Sequence, residues 1–171
     1  MPSLSRKELI LQIRSNEGLS DLDLTESDLS NANLYRANLD GLNLSCSSLA
    51  DCNLRESSMN TVNLSSCNLS RVDLRGSNLR GSDLSNSQIR GADFRLADLT
   101  GANFSGSNLR RANFSGAKLS NANFEGCNIQ KTDFMGANLS EANMTGTEWD
   151  ETYFLGANLE GAKLPENGLM E

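Results

Sequence analysis

Every fifth residue from Leu19 to Leu164 is a large apolar side chain, without one exception. From Leu22 to Ala162, the residue two positions before each large residue is small or apolar, and the residue between the two is most often Asn or Asp. Alternate residues of a strand point to opposite faces, so the large and the small residue of each unit share one face. Because five is odd, a plain strand would turn every second unit outward. The period therefore predicts a corner in each unit.

The residues after each large residue suit such a corner. Gly is the commonest choice two positions after the large residue, as at Gly91 and Gly101, and Gly tolerates the backbone angles of tight turns. Short inward-facing sides joined by uniform corners predict a polygonal coil. Stacked coils would bury one continuous core.

The phenylalanines indicate how many sides each coil has. They recur at ten-residue steps with one interruption, at Met144, and are Phe94, Phe104, Phe114, Phe124, Phe134 and Phe154. A coil of 15 residues would stack each Phe on Leu or Ile, and a coil of 10 would leave no lumen. A coil of 20 residues stacks Phe94 on Phe114 and places Phe104 on the opposite side. We therefore expect an all-β solenoid with four sides and about 7–8 coils.

Units such as Ala32-Asn33-Leu34, Ala37-Asn38-Leu39 and Ala102-Asn103-Phe104 resemble those of the pentapeptide repeat family, and the resemblance covers residues 19–164. It implies a right-handed quadrilateral β-helix, and the handedness rests on the resemblance alone. The family is abundant in cyanobacteria, and a short N-terminal helix followed by uninterrupted repeats is similar to many cyanobacterial members.

Both ends of a solenoid need caps, because an open coil exposes the core and unpaired strand edges. Ser5 and Glu8 form a capping-box pattern, which predicts a short α-helix at about residues 5–15 with Gly18 as its terminator. The predicted organisation has three parts: a capping helix and lead-in at 1–18, the β-helix at 19–164, and a C-terminal tail or cap at 165–171.

The composition argues against catalysis and against a metal site. The chain has no histidine, which removes the commonest general base and metal ligand. Its cysteines match no zinc pattern, and Cys52, Cys67 and Cys127 occupy the small inward position, where we expect buried reduced thiols. The phosphate-binding loop and the nucleophile elbow are both missing from the sequence. We therefore expect no enzyme, no cofactor and no metal.

The charge and hydropathy of the chain limit the kinds of partner that it can have. A net charge of −7 argues against broad nucleic-acid binding. The sequence holds no apolar run long enough to span a membrane and does not begin like a signal peptide, so we expect a cytoplasmic protein. The expected partner is another protein, with the chain itself a monomer or a weak dimer.

Outward positions are the remaining place for function. At 20 residues per coil, Arg55, Arg75 and Arg95 form one stacked column, and Asp73 and Asp93 lie beside it. This column is either an ion-pair ladder or a surface for an acidic partner. The adjoining corner adds further basic residues, namely Arg71, Arg90, Arg110, Arg111 and Lys131.

A second group of outward residues that breaks the polar pattern lies on the same side as the arginine column, nearer to the C-terminal end. Met135, Tyr153 and Leu155 occupy outward positions near the C-terminal end, where we expect them to be exposed. They form a contact with another protein or a second copy, or they lie under the C-terminal tail.

The sequence favours a non-enzymatic scaffold for protein–protein interaction. The alternative is implied by the family resemblance: some pentapeptide repeat proteins mimic duplex DNA and act on type II topoisomerases. The acidic balance and rod shape fit that alternative, whereas the arginines interrupt a continuous negative face. A third interpretation is a structural protein without a specific ligand.

Overall fold

The computed structural model describes residues 5–16, 18–19 and 23–165. One α-helix, α1 (Arg6–Ser15), precedes a stack of short extended sides that pair through isolated parallel bridges. The bridges run from Asp28↔Ser48 to Asn143↔Lys163. Within the described part of the chain, no helix has the length and apolar character of a membrane span.

Every bridge joins a residue to the one 20 positions later. For example, the Leu34 N–H donates to the Asn53 carbonyl at 2.8 Å, and the Asn53 N–H donates back to the Ala32 carbonyl at 3.0 Å. Five residues per side and 20 per coil give four sides, which confirms the predicted four-sided solenoid. The number of coils stays a prediction.

We name the sides A, B, C and D after the large residues at their centres in one coil, which are Leu34, Leu39, Leu44 and Leu49. Residues 20 apart in sequence lie on the same side, one coil further along the rod. Sides A and C are opposite each other, as are sides B and D.

A left-handed residue forms each corner. Every described residue two positions after a large residue, from Glu26 to Gly161, has positive φ, with values from +52° at Thr61 to +71° at Gly156. At a representative corner the Ala32 N–H donates to the Leu29 carbonyl at 3.0 Å, the arrangement of a type II β-turn. Both Gly residues and Leu96 adopt this conformation. The fold therefore imposes it on side chains that rarely have positive φ.

The outward Asn and Asp residues hold these corners. In each unit that has one, its side-chain Oδ1 accepts a hydrogen bond from the N–H two residues later, as Asn103 does from Ser105 at 3.2 Å. The Asn123 side-chain amide also donates to Asn103 Oδ1 at 3.2 Å, which links adjacent coils. A short polar side chain is needed to reach back over two residues, and this explains the preference for Asn and Asp.

The phenylalanines pack as predicted. Phe94 stacks on Phe114 with ring centroids 4.7 Å apart, and Phe104 stacks on Phe124 at 5.0 Å. Across the lumen, Phe94 meets Phe104 edge to face at 6.0 Å. These offset and perpendicular arrangements are the ones that aromatic rings favour. Two opposite sides therefore share one aromatic core.

The small inward residues bond to the corners. Ser107 Oγ accepts from the Ser87 N–H at 2.9 Å and donates to the Leu84 carbonyl at 2.7 Å, so it is inserted into a corner one coil away. The predicted buried thiols are confirmed: Cys52 Sγ donates to the Leu29 carbonyl, and Cys67 and Cys127 make equivalent bonds. Burial raises the pKa of the Cys127 thiol to about 12. These thiols are inert packing groups.

Helix α1 covers the first described coils. Ser5 is its N-cap, and Ser5 and Glu8 form the predicted capping box. Ile13 is fully buried, and the neighbouring Leu9 and Ile10 pack on the same core. The C-cap is Asn16 with φ +57°, so Asn16 and not the predicted Gly18 ends the helix. The division of the chain into three parts stays a prediction, and the predicted C-terminal tail lies mostly outside the described residues.

We expect opposite effects from two substitutions at one corner column. Gly101→Ala places a methyl group at φ +70° with no atom within 4 Å, so its cost is backbone strain alone. It should lower the free energy of unfolding by about 1 kcal/mol. Thr61→Gly relieves the same strain and should raise the free energy of unfolding by a few tenths of a kcal/mol, because the more flexible unfolded chain offsets part of the gain. Urea unfolding measures the free energy of unfolding of both variants. A change in the same direction for both would contradict the assignment of backbone strain to this corner.

Candidate interaction surface

The Arg column of side A consists of Arg55, Arg75 and Arg95. Arg75 binds Asp73 through two bonds, Nε to Oδ1 at 2.8 Å and Nη2 to Oδ2 at 2.6 Å. Arg95 binds Asp93 in the same way, with Nη2 2.6 Å from Oδ2. Across coils, Arg75 Nε lies 3.6 Å from Asp93 Oδ2. The main pairs therefore form within a coil, two residues apart, and a longer contact joins the coils.

These contacts set the ionisation of Asp73. The bonded Arg75 guanidinium lowers the pKa of the Asp73 carboxyl, with a further contribution from the charge of Arg55. Arg55 itself has no carboxylate within 4.0 Å among the residues that the structure describes. Two arginines of the column are thus fixed by ion pairs, and Arg55 keeps its charge available to a partner.

The exposed apolar residues are concentrated on the same side. Among the described residues, Tyr35, Leu96, Met135, Tyr153 and Leu155 are large, apolar and exposed. All of them lie on side A or at the corner that follows it, and Leu11 of helix α1 is the sixth such residue. Met135, Tyr153 and Leu155 face solvent where the sequence places them, with Leu155 76% exposed. Their role in binding stays a prediction.

Leu96 is the member of this surface that sequence reasoning missed. Its side chain is 75% exposed, although it occupies a corner with φ +60°. It lies over Gly116: a Cβ placed on that glycine would meet Leu96 Cδ2 at 2.9 Å. The sequence does contain a signal for Leu96. It is a large apolar residue at a corner position where the other coils of this side have Arg36, Glu56 or glycine.

Side C provides the contrast. Its outward positions carry polar residues, most of them small, for example Asn63, Ser65, Asn103 and Ser105. None of the exposed large apolar residues of the described chain lies on this side. The two sides share one backbone geometry, so the difference between them resides in their side chains.

The remaining predicted basic residues lie on side D and at the corner between sides D and A. Arg71 pairs with Asp51 across one coil, with Nη2 2.6 Å from Oδ2, and Lys131 pairs with Glu151 at 3.1 Å. Arg90, Arg110 and Arg111 have no carboxylate within 4.0 Å in the described part of the chain. The structure brings these arginines together around Gly91.

The described surface has no cluster of metal ligands. Within residues 5–16, 18–19 and 23–165, no group of three or more His, Cys, Asp or Glu side chains is placed to hold a metal ion. The exposed carboxylates instead accept hydrogen bonds from the corner N–H groups and from arginines, as Asp93 does from Arg95.

The ion pair of Asp73 predicts a pH effect. Because the folded pKa of Asp73 lies below its ordinary 3.8, the pair stabilises the fold above about pH 4 and loses this effect as pH falls through the folded pKa. Asp73→Asn keeps the acceptor for the Arg75 N–H and removes the charge. The substitution should lower the free energy of unfolding by about 0.5 kcal/mol at pH 7 and by less at pH 3.

Urea unfolding at the two pH values measures this difference. The control is Asp83→Asn, because Asp83 accepts hydrogen bonds from Ser85 and Asn103 and has no ion pair with any described residue. An Asp73→Asn cost that does not shrink in acid would show that the pair contributes nothing to stability.

Comparison with known proteins agrees with this geometry. A model of the pentapeptide repeat region matches residues 27–104, and a model of pentapeptide repeats matches residues 97–134 and 132–166. No curated protein matches the chain.

Solved structures are also similar to it. The pentapeptide repeat protein Rfr23 from the cyanobacterium Cyanothece 51142 is 22% identical, with 80% of this chain and 90% of that chain covered and a TM-score of 0.49. QnrB1, a plasmid-mediated fluoroquinolone resistance protein, is 23% identical over 85% of this chain and 87% of that chain, with a TM-score of 0.45.

HetL from Nostoc sp. strain PCC 7120, a pentapeptide repeat protein involved in heterocyst differentiation regulation, is 21% identical over 97% of this chain and 99% of that chain, with a TM-score of 0.30. At these scores the similarities carry no functional argument. The family models together extend from residue 27 to residue 166, over the same 20-residue register that the bridges show. The chain therefore belongs to the pentapeptide repeat family and folds as its right-handed quadrilateral β-helix.

Proposed function

We propose that this protein is a non-enzymatic scaffold that binds another protein through side A. The observation that supports this proposal is the segregation of exposed apolar residues: every such residue of the described β-helix lies on side A or at its following corner. Exposed apolar residues gathered on one face among charged groups are typical of protein contact sites. Proteins with this fold generally act as structural or interaction modules.

The residue types of side A suit an interface. Tyr, Met and Arg are enriched in the cores of protein interfaces, and Tyr and Arg often dominate the binding energy. Arg75 and Arg95 are already held by Asp73 and Asp93, so they lose little freedom when a partner docks. A rigid β-helix presents them without a conformational cost.

The same surface indicates the chemistry of the partner. Arg55 has no carboxylate partner in the described chain, so we expect the partner protein to place an acidic group beside it. Met135 and Leu155 lie four and five coils further along the rod, about 19–24 Å away, and call for apolar groups. A partner that fits both has an elongated face with an acidic end and an apolar end.

Site-specific photocrosslinking in the native organism tests this proposal. A photoreactive amino acid replaces Leu96 on side A, or Ser65 on side C as the matched control. We expect a distinct set of crosslinked proteins from position 96, lost when Leu155→Ser and Met135→Ser are added and retained when Ser105→Ala is added on side C. Identical sets from positions 96 and 65 would refute side A as the binding face.

Sedimentation of the purified chain separates a foreign partner from a second copy. A monomer at micromolar concentration is the result expected if side A serves another protein. A dimer that dissociates with Leu155→Ser would show that a second copy occupies the surface instead.

The topoisomerase alternative receives no specific support from the surface. A mimic of duplex DNA needs a continuous line of acidic groups, and arginines interrupt both side A and side D. Inhibition of gyrase supercoiling at micromolar protein would nevertheless favour the alternative over the proposal made here.

A further inference from the structure

Four arginines surround one glycine at the border of sides D and A. Arg71, Gly91 and Arg111 follow one another at the same corner in three successive coils, and Arg90 and Arg110 lie beside them on side D. Together with Ser70 they line a depression of about 400 Å³. We name this depression the basic notch.

Gly91 makes the notch. It has no side chain, and a Cβ built there would have only Arg71 Cγ within 4 Å, at 3.8 Å. The corner positions one coil away on either side carry Arg71 and Arg111. A gap therefore separates two guanidinium-bearing side chains that lie two coils apart, about 10 Å along the rod.

The charge of the notch is not balanced by the protein. Of its four arginines only Arg71 has a carboxylate partner, Asp51. In the described chain, no carboxylate lies within 4.0 Å of Arg90, Arg110 or Arg111. The outward side D neighbours are uncharged, namely Asn68, Ser70, Gln88, Asn108 and Gln130. Three adjacent positive charges thus occur in a protein whose net charge is −7, and like charges at this spacing repel unless an anion lies between them.

The notch also has hydrogen-bond donors without acceptors. In most units the N–H that follows the large residue binds an Asn or Asp Oδ1, but before Arg90 this position is Gln88. Gln88 Oε1 instead accepts from the Asn108 side-chain amide at 3.4 Å, and the Arg90 N–H finds no acceptor among the described residues. Arg110 Nη1 donates to Gln130 Oε1 at 3.4 Å, whereas Arg110 Nε is buried and has no partner among the described residues. A buried donor without an acceptor is costly, and this cost applies to Arg110 Nε.

We propose that the basic notch binds an anion of the diphosphate class, either free diphosphate or the diphosphate group of a nucleotide. Guanidinium groups bind phosphoryl oxygens through pairs of parallel hydrogen bonds, and they keep their charge at all physiological pH values. Two linked phosphoryl groups supply the several negative charges that three unpaired arginines need, and one carboxylate does not. The open Gly91 corner gives the anion access to both flanking arginines.

Isothermal titration of the purified protein with inorganic pyrophosphate, at low ionic strength and without divalent cations, tests the site. We expect one pyrophosphate per chain and an affinity that falls as salt is added. Gly91→Glu fills the notch with a carboxylate, and it should weaken binding at least tenfold. The corner accepts this change because Glu56 and Glu151 adopt the same positive φ elsewhere in the β-helix.

The matched control is Gly101→Glu, which adds the same charge at a different corner with no atom within 4 Å of the new Cβ. It should bind pyrophosphate as the wild type does. Arg90→Gln combined with Arg110→Gln provides a second variant that leaves every corner residue unchanged, and it should lose binding while keeping the wild-type melting temperature.

ADP and AMP distinguish the two sources of the ligand. Binding of ADP as tight as that of pyrophosphate, with AMP much weaker, supports a nucleotide diphosphate; binding of pyrophosphate alone supports the free anion. No pyrophosphate binding by the wild type below millimolar concentration would overturn the proposal. Equal weakening by Gly91→Glu and Gly101→Glu, or tighter binding of a polyglutamate peptide than of pyrophosphate, would overturn it as well.

Discussion

The positive φ at every corner is the constraint on which the rest of this structure depends. Five residues per unit would send successive large side chains to opposite faces of a continuous strand. One left-handed residue per unit turns the chain so that the next large residue again points inward, and this holds from Glu26 to Gly161. The strain at residues such as Thr61 and Leu96 persists because the neighbouring side chains and both adjacent coils fix the turn.

The corners create an exact vertical register, and that register determines the surfaces. Because every coil repeats after 20 residues, substitutions at one outward position line up as a column on one side. Asn and Asp can fill such columns without consequence, since each bonds to its own corner, as Asn103 does with Ser105. A departure from them, such as Leu155, changes one column and leaves the backbone untouched. This separation lets one scaffold carry exposed apolar residues on side A, polar residues on side C and a basic border.

Much of the fold could be predicted from the sequence because the pattern is nearly free of exceptions. The ten-residue spacing of Phe94 and Phe104 predicted opposite sides, and the Ser5/Glu8 pattern predicted the helix cap; the structure confirms both. The surface was harder. Leu96 was missed because side-chain alternation along a strand says nothing about the direction of a corner residue. Whether Arg75 pairs within its coil or across coils depends on rotamers, and the unpaired Arg90 N–H depends on how Gln88 turns.

The two proposed sites adjoin the same edge of the rod, so the charge in one site affects the electrostatic potential at the other. Arg71 and Arg111 lie at the corner between sides D and A, next to the Arg column. Surface charges interact over about 8–10 Å at physiological salt, and Arg75 and Arg95 follow Arg71 and Gly91 by only four residues, on the adjoining side. Those two arginines are already neutralised by Asp73 and Asp93, whereas Arg111 is not paired in the described chain. Loading the notch would therefore lower the positive potential along one margin of side A and slow the approach of an acidic partner there, while the apolar contacts at Met135 and Leu155 would stay as they are.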